Sequence, residues 1–223
     1  AMKNPIGTGP FKITKYERYL LVRYEKFPEY WQKGKPYLDA IEFHFISDPM
    51  TCLAAFKAGE GDQIVRIDVS DALDLQNTGK FLLDKVAITV TGLAPDGGNP
   101  KSPFADIRVR KAVEHAINKE AITKELYPGL FVPATQIRIP GAIGYNQAVK
   151  GYPYDPKKAK ELLTQAGYPN GFKTKITYRT ADDEKLFVAM QGYLKAVGVD
   201  AALEPITMQN FAQMINVGWE NSM

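Results

Sequence analysis

The run from residue 173 onward constrains the fold more than any other part of this sequence, because extended and helical patterns alternate in it over four segments. Residues 173–178 (KTKITY) are β-rich, 183–197 are helical, 199–203 are extended again and 207–217 return to helix. Within the longer helix Leu186, Phe187, Met190, Tyr193, Leu194 and Val197 recur at helical spacing, the wide apolar stripe of a helix that lies on a sheet. A strand, a helix and a second strand in that order put two parallel strands in one sheet, joined by a right-handed crossover. The expected class is therefore α/β.

The first ninety residues read mainly as strands. Residues 11–15 and 19–24 are two β-rich runs separated by polar Glu17-Arg18, the pattern of a hairpin. In 41–45 the apolar residues alternate strictly, so that Ile41, Phe43 and Phe45 share a face expected to be buried and Glu42 and His44 share the other. Asp48-Pro49 supplies a cap and a first helical residue, and Gly59 stops that helix. A second short helix is expected over 70–76 with Ser70 as its cap, and a strand over 82–91. Seven residues of turn chemistry, Ala94-Pro95-Asp96-Gly97-Gly98-Asn99-Pro100, separate this part from a helix-rich one. Asp106 opens a helix that runs to about Asn118, a further turn continues to Tyr127-Pro128-Gly129, and 131–151 read as irregular. Asp155-Pro156 repeats the cap-plus-proline device, with Ala159, Leu162, Leu163 and Ala166 as the apolar stripe and Gly167 as the stop.

The chemistry available is sparse. A chain that is 45% hydrophobic and 24% charged has ordinary globular composition, which excludes collagen, coiled coil and disorder. Its 28 basic and 25 acidic residues are interspersed, so no stripe tracks phosphates and nucleic acid is not an expected partner. No stretch approaches the roughly 18 apolar residues of a membrane span. A single Cys52 rules out an internal disulfide or a multi-cysteine metal site, and His44 and His115 cannot build a histidine cluster. There is no G-x-S-x-G elbow, Walker loop or G-x-G-x-x-G, and Gly7-Thr8-Gly9 precedes a strand where a phosphate cradle needs a strand-to-helix link. Adjacent carboxylates such as Asp182 and Asp183 suit a helix N-terminus. A hydrolase would need an assembled nucleophile that no motif supplies. No metal, no cofactor and no catalytic constellation are expected, which leaves ligand binding in a cleft as the default.

Five blocks add a resemblance. They are Asn4-Pro5-Ile6-Gly7-Thr8-Gly9-Pro10-Phe11; Pro28-Glu29-Tyr30-Trp31 with Lys35-Pro36-Tyr37-Leu38-Asp39; Ala58-Gly59-Glu60-Gly61-Asp62; Ser102-Pro103-Phe104-Ala105-Asp106-Ile107-Arg108-Val109-Arg110-Lys111-Ala112; and residues 152–168, which match Y-P-Y-D-P-x-K-A-K-x-L-L-x-x-A-G-Y. In this order they resemble the peptide-class (family 5) extracellular solute-binding proteins of ABC transporters, the group of dipeptide, oligopeptide and nickel binders. The resemblance implies a class II periplasmic-binding-protein architecture, two α/β lobes hinged around a cleft that closes on its ligand. Residues 1–90 would be part of lobe one, β-rich and near the hinge, and residues 91–223 most of lobe two, truncated at the C-terminus. Ala1 before Met2 has the form left by tag removal, so this chain is expected to be a fragment of a longer protein.

The same resemblance implies a binding protein, not an enzyme. It would capture a short peptide or similar small solute in the inter-lobe cleft and deliver it to an ABC permease. It would work as a monomer in its full-length form, at the periplasmic or extracellular face of the cytoplasmic membrane, with a lipid anchor through a missing N-terminus as an option. The alternative is a ligand-sensing domain of a regulator or receptor built on the same fold. Ligands of open α/β sheets bind outside the carboxyl ends of the strands, which points to the loop after 173–178. Arg179 leads the candidates there, with Tyr178, Thr180, Asp182 and Glu184 around it, since a basic residue near this loop holds the ligand carboxylate in dipeptide-type relatives. The competing reading is that Arg179 pairs with Asp182 or Asp183 at the surface.

Overall fold

In a computed structural model, which describes residues 5–65, 67–84 and 90–223, the chain divides into two units, Ala1–Leu83 and Asp84–Met223. In the first, strands β1 (Phe11–Glu17), β2 (Leu21–Lys26) and β3 (Ala40–His44) form an antiparallel sheet in that order. The hairpin turns through Arg18-Tyr19-Leu20, where the Leu20 N–H donates to the Glu17 carbonyl at 3.0 Å. A register shift between Ile13 and Lys15 brings Tyr16 opposite Val22, which itself pairs with Phe43.

That apolar face corrects the expectation for β3: Phe43 and Phe45 are each 52% exposed, and only Val22 among the aligned residues is buried. Alternation selects the side of a strand on which apolar residues lie, but burial also needs a layer on top, and the described residues leave this face half open. Helix α1 (Pro49–Lys57) follows, with the Asp48 side chain accepting the Thr51 N–H at 2.8 Å. Helix α2 (Val69–Asn77) starts earlier than expected because Asp68 is its cap. One Asp68 oxygen accepts both the N–H and the hydroxyl of Ser70, which draws Ser70 into the first turn. Of the strand expected over 82–91, residues 85–89 lie outside the described residues, and 82–84 and 90–91 are irregular.

The second unit holds the larger core. It comprises a single 3-10 turn (Pro103–Ala105), α3 (Ile107–Ala116), α4 (Lys119–Leu126), α5 (Pro156–Gln165), β4 (Phe172–Arg179), α6 (Glu184–Ala196), β5 (Val199–Ile206) and α7 (Met208–Val217). The expected helix to Asn118 ends at Ala116, and α4 fills the stretch expected as a further turn to Tyr127-Pro128-Gly129. Ile117 is extended, and the Asn118 side chain accepts the Ala121 N–H at 3.0 Å to start α4, so the residue expected to end one helix caps the next. Strands β4 and β5 are parallel, in register from Phe172 opposite Val199 to Arg179 opposite Ile206. Helix α6 connects them and lays Phe187, Leu194 and Val197 into a core shared with Phe104, Val109, Leu163 and Ile176. Along β4, Thr174, Ile176 and Tyr178 are buried, so alternation turns Lys173, Lys175, Thr177 and Arg179 to the opposite face.

Two further details fix this sheet. Gly171 and Gly198, at the starts of the two strands, approach so closely that a Cβ on Gly171 would lie 1.8 Å from the Gly198 carbonyl oxygen. On the other edge of β4, Ser222 pairs with Lys175 in parallel, with the Met223 N–H on the Lys175 carbonyl and the Thr177 N–H on the Met223 carbonyl, both at 3.0 Å. The turn-rich segment 94–100 holds this C-terminal stretch in place. Asp96 is 8% exposed; its carboxylate accepts the Asn221 N–H at 3.1 Å and its own N–H donates to the Ser222 carbonyl at 3.0 Å.

Candidate functional site

Because β4 and β5 are parallel and in register, they end side by side at Arg179 and Ile206. Helices α6 and α7 begin at the same edge, capped by Asp183 and Thr207. This is the edge at which open α/β sheets take ligands. Residues 179–182 form a tight turn there: the Asp182 N–H donates to the Arg179 carbonyl at 2.8 Å, and the Arg179 N–H donates to Asp182 Oδ2 at 3.0 Å. The Thr180 N–H reaches the Ile206 carbonyl at 2.9 Å and fastens the turn to the end of β5.

The Arg179 guanidinium folds back over this turn. Its Nε donates to Asp182 Oδ2 at 3.0 Å and its Nη2 to Asp182 Oδ1, while Cζ lies 5.5 Å from the centre of the Phe211 ring on α7. The Arg179 side chain is 38% exposed. The guanidinium holds the Asp182 carboxyl below its ordinary range against the opposing effect of partial burial, and Asp182 in turn raises Arg179 further above its own. Of the two acidic partners considered for Arg179, Asp182 is the one engaged. Asp183 instead caps α6 through the Lys185 N–H at 3.0 Å and accepts the Tyr127 hydroxyl at 2.8 Å.

The five expected residues thus separate into two groups. Arg179, Thr180 and Asp182 lie together in the turn, with Thr180 exposed. Tyr178 faces the core side: it is 3% exposed and stacks on Phe187 with ring centres 4.5 Å apart. Burial pushes its phenol up, and the hydrogen bond to Glu184 adds to this, so Glu184 is tied to Tyr178 and not to the arginine. Phe211 is the residue that sequence reasoning missed. It falls four positions after the Thr207 cap, in the first turn of α7, but nothing in its spacing links it to Arg179. Among the described residues no group of three or more His, Cys, Asp or Glu could hold a metal ion, and no helix is long and apolar enough to cross a membrane.

Comparison with known proteins places this geometry in context. Residues 1–222 match the family described as bacterial extracellular solute-binding proteins, family 5 Middle. The glutathione-binding protein GsiB of Escherichia coli O1:K1 / APEC is 32% identical over 208 residues, covering 89% of this chain and 39% of that protein. Among solved structures, the periplasmic binding protein DppA from Helicobacter pylori, in complex with the peptide STSA, aligns with a TM-score of 0.75 at 31% identity over 99% of this chain and 43% of its own. NikA from Brucella suis, in complex with Fe(III)-EDTA, aligns with a TM-score of 0.83 at 25% identity over 94% of this chain and 45% of its own. The chain therefore spans less than half the length of each of these relatives.

Proposed function

The chain belongs to the family 5 bacterial extracellular solute-binding proteins of ABC importers, and from that premise we propose that it helps to capture a short peptide or a similar small solute for delivery to a membrane permease. Its fold is α/β and periplasmic-binding-protein-like. The observation that carries the reading is the Arg179 turn: a guanidinium at the carboxyl edge of a parallel strand pair, held in place yet 38% exposed. The ligands named for the three relatives agree with this chemistry. Glutathione, the peptide STSA and EDTA all carry carboxylates, and an arginine fork is suited to binding them.

In this reading residues 1–90 contribute part of lobe one and residues 91–223 most of lobe two, and the protein works at the periplasmic or extracellular face of the cytoplasmic membrane, with or without a lipid anchor. Binding breaks no bond. The solute favours whichever conformation offers it more contacts, so affinity follows the difference between open and closed forms. A sensing domain could use the same fold, but no observation here favours it.

Native mass spectrometry of the complete gene product, with masses released on denaturation, tests the proposal. Short-peptide masses are the expected result. A released metal chelate or sugar would keep the transport fold and overturn the ligand class. Protein that is empty and does not respond to peptide, chelate and sugar pools would overturn capture of any of these.

A further inference from the structure

Asp182 uses only part of what Arg179 offers. A guanidinium carries five N–H donors in a rigid plane. The N–H of Nε and one N–H of Nη2 are directed at the two Asp182 oxygens, and the Phe211 ring lies 5.5 Å from Cζ. Asp182 is itself fixed, because its Oδ2 closes the turn on the Arg179 N–H and its N–H bonds the Arg179 carbonyl. The adjoining edge, made by Nη1 and the second N–H of Nη2, has no hydrogen bond among the described residues. That edge has the same spacing of parallel donors as the one already filled, so it fits a second planar carboxylate.

We propose that Asp182 is a positioning residue for a carboxylate subsite, clamping Arg179 by its Nε–Nη2 edge so that the Nη1–Nη2 edge is presented to a carboxylate of the bound solute. The inference rests on the reading of this chain as a solute-binding domain with Arg179 toward the solute. An unclamped arginine spreads over many rotamers and must give up that freedom on binding, whereas one held by a carboxylate and a ring has already done so. Discrimination follows from the same geometry. A carboxylate offers an acceptor to each of the two N–H groups, while a primary amide offers one acceptor and sets its own N–H₂ against the other donor.

The test uses the complete gene product and two probe mixtures, di- to tetrapeptides with free carboxyl termini and the same peptides amidated, with affinities read by calorimetry. Wild type is expected to prefer the free acids. Asp182→Asn retains an acceptor for the turn N–H but places an N–H₂ against the guanidinium. It is expected to weaken free-acid binding about tenfold, the scale of one charge-assisted hydrogen bond, to leave amide binding unchanged, and to lower Tm modestly because the charged bonds between Asp182 and Arg179 are lost, so affinities are read well below that Tm. Arg179→Lys keeps the charge, lacks the fork and leaves the Asp182 turn bonds intact, and it is expected to lose the same preference. Tighter free-acid binding by Asp182→Asn would show that Asp182 competes with the solute and would overturn the proposal. An unchanged acid-to-amide ratio in Asp182→Asn, beside a loss in Arg179→Lys, would overturn it and spare the site. If wild type binds neither mixture, or Arg179→Lys changes nothing, the underlying reading of the site fails and takes the proposal with it.

Discussion

Gly171 and Gly192 carry the same side chain in opposite circumstances. At Gly171 φ is +75° and an added Cβ would lie 1.8 Å from the Gly198 carbonyl oxygen, so the starts of β4 and β5 have to separate to admit it. Gly192 lies within α6 with open space around it. Gly171→Ala is therefore expected to destabilise the protein by about 2–4 kcal/mol, in the range of strained backbone and overpacking changes. Gly192→Ala is expected to stabilise it by about 0.5–1 kcal/mol through helix propensity. Urea titrations of the two variants check this, and equal effects of either sign would refute it. The candidate site was legible only in part. The loop could be found because a β-rich run ends at residue 178, and the period of that run already separates Tyr178 from Arg179. The clamp was not legible, since Asp182 and Asp183 are indistinguishable as neighbours until the turn is built, and Phe211 comes from another element altogether.

At the level of elements, capping chemistry was the most readable feature. Asp48, Asp106 and Asp155 cap the helices that their positions announce. Asp68 is passed over because Ser70, two residues on, is also a capping type, and Asn118 because it reads as the end of α3; only the finished turn selects the cap. The Thr51 hydroxyl, with the Thr51 N–H second, holds the Asp48 carboxyl below its ordinary value, Arg108 does so for Asp106, and Arg179 does so for Asp182. A carboxyl whose folded value is depressed binds its proton more weakly than the unfolded chain does. Its contribution to stability is complete above the unfolded value of about 4 and is lost as pH falls through the folded one. Thermal melts followed by circular dichroism are expected to give a level Tm from neutral pH to about 5 and a progressive fall below about 4. A Tm that rose on acidification would contradict the assigned hydrogen bonds.

For the whole molecule, the sequence showed where apolar surface lies but not what covers it. The stripe of α6 found its sheet within the second unit, so the prediction of burial held for Phe187, Leu194 and Val197. The matching prediction for Phe43 and Phe45 failed because no pattern within a strand encodes its covering layer. The pairing of Ser222 with Lys175 was invisible for another reason, since two or three residues are too short to display a period. If Arg179 meets the solute as proposed, its pairing bears on how quickly that solute arrives. The chain's net charge of +3 is dispersed, and the guanidinium that would otherwise be a local cation is paired with the Asp182 carboxylate. An incoming anion meets a dipole whose pull dies away within a few ångströms, so little electrostatic steering is available to be screened. The association rate in stopped flow is therefore expected to change by less than about twofold between about 0.01 and 0.1 M ionic strength. A steep decline would mean that the charge is unmasked in solution. On the proposed reading, capture at this turn draws little on long-range attraction, so added salt takes little from its speed.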